Sequence, residues 1–83
     1  MVNWIDFEPS DFEYDFENDE LAAHRITIEE AVQVFDNEFD VHRNKGYRGR
    51  YQIHGVTDGG RRLLLIVQIN AEHVVRIITG WDR

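Results

Sequence analysis

The groups able to move protons or hold anions are unevenly placed in this sequence of 83 residues. Histidines stand at positions 24, 42, 54 and 73. An imidazole can take up or release a proton near neutral pH. His24, at the end of a helical stretch, and His54, inside a basic strand, are the two candidates for that work; a packing or surface role is the plain alternative for each. Arg50 and Arg76 also sit in strand-like runs. A permanent charge inside "HVVRIIT" either holds a phosphate or carboxylate by forked hydrogen bonds or pairs with one of the N-terminal acids. Arg61 and Arg62 follow a glycine turn, while Arg43, Lys45 and Arg48 surround another, with Tyr47 and Tyr51 interleaved. Cations beside aromatics suit a nucleic-acid strand, which makes Arg48, Tyr51, Arg61 and Arg62 the candidate nucleic-acid contacts; solvated turn residues are the simpler reading. The histidines lack metal-ligand spacing, and no phosphate-cradling or dinucleotide glycine motif is present, so no metal and no cofactor is expected. The absence of cysteine removes disulfides and thiolate chemistry. Ser10, set among acids, is a poor nucleophile.

The net charge of −7 conceals two opposite halves. Residues 1–41 carry 13 acids and one base, Arg25, a balance of −12. Residues 42–83 carry Asp58, Glu72 and Asp82 against eight bases, a balance of +5. A basic face on an acidic protein can still attract phosphates. No apolar run approaches the roughly 18 residues a membrane span needs, and the first residues lack the basic start of a signal peptide. A cytoplasmic protein that does not enter the membrane is expected.

The elements that must position these residues follow from periodicity. Residues 1–17 form an acidic, aromatic arm, interrupted at Pro9 and expected to be held by its aromatics alone and partly mobile. Within it Phe12, Tyr14 and Phe16 alternate with acids, a pattern that suits a strand. "NDELAAHR" (18–25) reads as a first helix, with Asn18 as cap. Thr27 and Glu30 form a capping box. Behind it Ile28, Ala31, Val32 and Phe35 make one apolar stripe on a second helix over 28–36. "FDVHR", "RYQIHGV", "RRLLLIVQI" and "HVVRIIT" read as strands joined by turns at 44–49, "TDGG" and "NAE". One α+β domain over 1–83 follows, with two N-terminal helices packed on a three- to four-stranded antiparallel sheet. Two-residue loops at Asp58-Gly59 and Asn70-Ala71 would align residues 52, 65 and 76. That register puts Arg50, Gln52, His54 and Arg76 on one face, separated by Leu63, Leu65 and Val67. A slip of one residue would reverse it. The strand "FDVHR" lies at a sheet edge, where a homodimer could pair.

Three stretches together resemble one family. "HRITIEEAVQVFDNEF" is similar to the segment with Glu-Glu-Ala and Val-Phe in the BrnT family of toxins. "RYQIHGVTDGGRRLLLIVQ" is similar to its Arg-Tyr hairpin, and "VVRIITGW" to its last strand. The match spans about residues 20–82. It implies a RelE-like fold and a metal-independent endoribonuclease of a toxin–antitoxin system, neutralised by a cognate antitoxin encoded alongside. It carries site roles onto His24, Arg50, Arg62 (or Arg61) and Arg76. The chain departs from the family at Ala23 and Trp81, where the family has lysine and arginine. The expectation is therefore a BrnT-like ribonuclease or a diverged relative. Alternatives are a non-catalytic protein-interaction module on the same fold, or RNA binding without cleavage.

Overall fold

A computed structural model describes residues 11–43, 46 and 48–83. The readings placed on Trp4, Phe7 and Pro9 of the arm, and on Lys45 and Tyr47, lie outside the described residues. The elements are β1 (Asp11–Tyr14), α1 (Glu20–Ala23), α2 (Ile28–Asp36), β2 (Phe39–Arg43), β3 (Arg50–Val56), β4 (Arg62–Ile69) and β5 (Val74–Asp82). The five strands form one mixed sheet in the order β1-β5-β4-β3-β2, with β1 parallel to β5 and the other pairs antiparallel.

This corrects the expected architecture of two helices on three or four antiparallel strands. The difference lies in the arm. Phe12 and Tyr14 turn their rings toward the core, Phe12 meeting Phe35 with ring centroids 5.4 Å apart. The Tyr14 hydroxyl accepts from the Leu21 N–H at 2.8 Å and donates to the Asp19 carboxylate. So anchored, the arm adds a strand along β5, pairing Asp11 with Val74 and Glu13 with Arg76. The first helix is correspondingly short. The Asp15 carboxylate accepts from the N–H groups of Glu17 and Asn18, which makes those residues a turn. Asp19, not Asn18, then caps α1, accepting from Ala22 N–H at 3.0 Å. Arg25, at φ +58°, ends the helical path.

The Thr27–Glu30 capping box forms as the sequence predicts. The buried stripe of α2 centres on Ala31 and Val34, with Ile28 and Phe35 at its flanks. Both helices close on the sheet over glycines. A Cβ at Gly55 would lie 2.7 Å from Val34 Cγ1, and one at Gly80 would lie 3.3 Å from Leu21 Cδ2. Ile53, Leu63, Leu65, Val67, Val75 and Ile77 complete the core face.

Arg61 ties the ends of the molecule together. Its Nε and Nη2 bind the Asp82 carboxylate in a fork at 2.7 and 3.0 Å. Nη1 donates to Glu30 at 3.1 Å and to the Arg25 carbonyl at 2.7 Å, and Nη2 reaches the His24 carbonyl at 3.3 Å. One guanidinium thus satisfies carbonyls left open past α1 while joining the start of α2 to the end of β5.

The register also differs from expectation. The Thr57 N–H donates to the Arg61 carbonyl and Gly60 turns at φ +86°, so β3 and β4 pair one residue off, with Gln52 opposite Ile66. At the next turn the Asn70 carboxamide accepts from the N–H groups of Glu72 and Val74. Ile69 thereby pairs with Val75, and Arg76 with Gln68 rather than Leu65; a bulge between Ile66 and Val67 shifts the far end of the hairpin by one residue more.

Two outcomes follow. Gly55→Ala should lower the unfolding free energy in urea by about 1–3 kcal/mol through overpacking, and Val34→Ala in the same chain should recover part of that loss. The second concerns acid. The Arg61 fork holds the Asp82 carboxyl below the usual carboxylate range, and the Thr27 N–H, then Arg61, do the same for Glu30. A depressed carboxyl stabilises the fold above its ordinary pKa, and that stability is lost as pH falls through the lowered value. Arg61→Gln should therefore flatten the acid limb of a plot of unfolding midpoint against pH.

Candidate functional site

The antiparallel strands present their second face away from the buried core. Alternation puts Arg50, Gln52 and His54 of β3 on it, with Asp40 opposite His54 and His42 opposite Gln52 on β2. β4 contributes Arg62, Leu64, Ile66 and Gln68, and β5 contributes Arg76, Thr79 and Trp81.

At one end of the sheet lies a cleft of about 620 Å³, lined by residues 37–41 together with His54, Gly55, Val56, Arg62 and Arg83. The His54 ring stacks obliquely on His42, centroids 4.7 Å apart, and its Nε2 lies 3.5 Å from Gln52 Oε1. Burial pushes the His54 pKa down, helped by the charges of Arg83 and His42 and opposed by Asp40. The ring is thereby biased toward its neutral, proton-accepting form. Arg62 and Arg83 have no ion pair or side-chain hydrogen bond to any described residue. The rim is fixed by Asn37, whose Nδ2 donates to the carbonyls of Gln33 and Val56 and to the Asp58 carboxylate. An imidazole in one cleft with two guanidinium groups, with Asp40 and Glu38 in the same lining, can hold a phosphate and move a proton beside it.

The residues singled out from sequence fall in different places. His54 and Arg62 line the cleft. Arg50 and Arg76 share the face but stand in another row, which runs Arg50, Gln68, Arg76, Glu13 across four strands. Arg50 Nε donates to Gln68 Oε1 at 3.3 Å. Arg76 lies 4.0 Å from the Glu13 carboxylate, both side chains more than half exposed. This pairing accounts for the charge inside an apolar strand, although an exposed pair of this kind adds little stability. His24 is apart from His54; its ring lies 6.1 Å from that of Trp81. Arg48 is exposed in the turn before β3, its carbonyl accepting from Gln68 Nε2 at 2.7 Å. Tyr51 points to the opposite face and packs on the core, and Arg61 is engaged in the ion pairs described above. His42, Asp40 and Arg83 were not singled out from sequence. The alternation in "FDVHR" carries the signal for the first two, since Asp40 and His42 must share a face once that strand pairs. Among the described residues no group of three His, Asp or Glu side chains is placed to hold a metal ion, and no helix is long and apolar enough to cross a membrane.

No protein-family model matches the chain, and no curated protein matches it.

An NMR titration of the histidine ring protons should show His54 protonating below the ordinary imidazole range. The causes fix the direction of two variants. Asp40→Asn, which removes the opposing charge, should lower the midpoint further, and Arg83→Gln should raise it.

Proposed function

We propose that this protein is a metal-independent endoribonuclease, a toxin of the BrnT type or a diverged relative. The observation that carries the reading is the placing of His54 in ring contact with His42 and in one cleft with Arg62 and Arg83, whose side chains pair with no described residue. In this reading RNA enters the cleft with one phosphate between the two arginines. Neutral His54 takes the proton from the ribose 2′-hydroxyl. That oxygen attacks the adjacent phosphorus while the bond to the 5′-oxygen breaks. His42 returns a proton to the leaving 5′-oxygen, giving a 2′,3′-cyclic phosphate and a 5′-hydroxyl. Arg62 and Arg83 stabilise the charge gathering on the non-bridging oxygens. The row of Arg50 and Arg76 lies further along the same face, where it would meet neighbouring phosphates. The resemblance of three segments to the BrnT toxins supports the same chemistry, and their partnership with an antitoxin belongs to the proposal.

A second reading has its own observation. Leu64 and Ile66 form a half-buried apolar strip along the middle of this face, and no described element covers it. An interaction module would use that strip to bind protein and would have no affinity for RNA.

The test is cleavage of a single-stranded oligoribonucleotide in EDTA. Wild type should produce cyclic-phosphate ends and leave the 2′-O-methyl analogue intact. His54→Ala should slow cleavage by about 10²–10⁴-fold, and Arg62→Ala should also slow it, whereas His24→Ala should not. An inactive wild type with no salt-sensitive RNA affinity would replace this reading with the interaction module.

A further inference from the structure

A second concavity shares no residue with the histidine cleft. It has a volume of about 450 Å³ and runs between the turn after β1 and the start of α2. Its lining is Tyr14, Phe16, Ala22, Ile26 and Ile28, with Thr27 and the charged side chains of Asp19, Glu29 and Arg25, two acids against one base. Phe16 is 68% exposed even though its ring meets Tyr14 edge-on at 5.1 Å. A lone exposed phenylalanine means little, but one that extends an apolar groove forms a patch. The floor is rigid, because the Tyr14 hydroxyl is fixed between Asp19 and the Leu21 N–H.

The charge around this groove is one-sided. Between residues 11 and 30 there are eight acids and one base, Arg25. A ligand seated here meets an apolar floor inside a negative rim. We propose that this groove docks a different protein, which inserts an apolar side chain flanked by lysines or arginines. Complementary charge would guide its approach, and burial of the apolar side chain would retain it. Among the described residues a second copy of this chain offers Phe16 and Trp81 as its exposed large hydrophobic side chains. Phe16 stands between Asp15 and Glu17, and Trp81 is followed at once by Asp82. Both would bring acid to an acidic rim. The proposal is independent of the ribonuclease reading, since neither surface uses the other's residues.

The experiment is a titration of the isotope-labelled full chain, followed by amide NMR. The probe is a short capped peptide of leucine and lysine, run beside its glutamate-for-lysine counterpart. The basic peptide should give saturable shifts at Phe16, Ala22, Ile28 and Glu29, weakening as salt is raised. Phe16→Ala and Glu29→Lys should each weaken binding about tenfold or more, a usual cost for losing an interface anchor. Asp36→Lys, an equal charge reversal outside the groove, should bind as wild type. Unchanged core amides such as Leu21 and Ile53 would show that the variants are folded. The proposal is overturned by any of three results. These are the absence of saturable shifts, equal loss of binding with Asp36→Lys, or a dimer of this chain that Phe16→Ala dissolves. The last would make the occupant a second copy.

Discussion

The guanidinium of Arg61 is the point on which the rest of the arrangement turns. It belongs to the basic half of the sequence and binds groups from both halves. Glu30 belongs to the first half and Asp82 to the second, and the carbonyls of His24 and Arg25 join them on the same group. Remove that charge and two carboxylates and two carbonyls converge without their shared donor, which costs more than the contact itself contributes. Its neighbour Arg62 begins β4, where alternation turns it to the other face. Two adjacent arginines therefore have unlike roles, one consumed inside the fold and one left open at the cleft.

The same alternation shows what could and could not be read from sequence. The strands β2 to β5, the capping box and the apolar character of β4 were all legible, because each is a local signal. The register was not. A turn of Asp58, Gly59 and Gly60 in place of two residues shifts one hairpin by a single position. The Asn70 turn shifts the next by three at Arg76. Each shift reverses the faces, and the two reversals cancel. Arg50 and Arg76 consequently share a face as the simple register has it, but with Gln68 between them instead of Leu65. An inference about which residues touch across a sheet depends on every turn between them, and turns defined by one side chain such as Asn70 leave little periodic trace.

The described end of the arm shows two local signals in competition. Its acids suggest repulsion, and the alternation of Phe12 and Tyr14 suggests a strand. Strand formation there is decided by Phe12 and Tyr14, whose burial and hydrogen bonding hold Asp11 and Glu13 at the sheet edge, where water solvates them. Charge on the outward positions of an edge strand also discourages pairing with other chains. The acidity that argued against structure is thus compatible with a strand at that position.

This division has a consequence for a chain so small. The groove between β1 and α2 is drawn wholly from the acidic half, with Asp19 and Glu29 against Arg25, while the histidine cleft is shared, with Glu38 and Asp40 from the acidic half facing Arg62 and Arg83 from the basic one. The two lie toward opposite edges of the sheet, since β1 stands at one edge and β2 at the other. Four strand spacings of about 4.8 Å exceed the Debye length of about 8–10 Å at physiological salt. Each concavity therefore answers mainly to the charges of its own lining, and a ligand at one need not disturb the other.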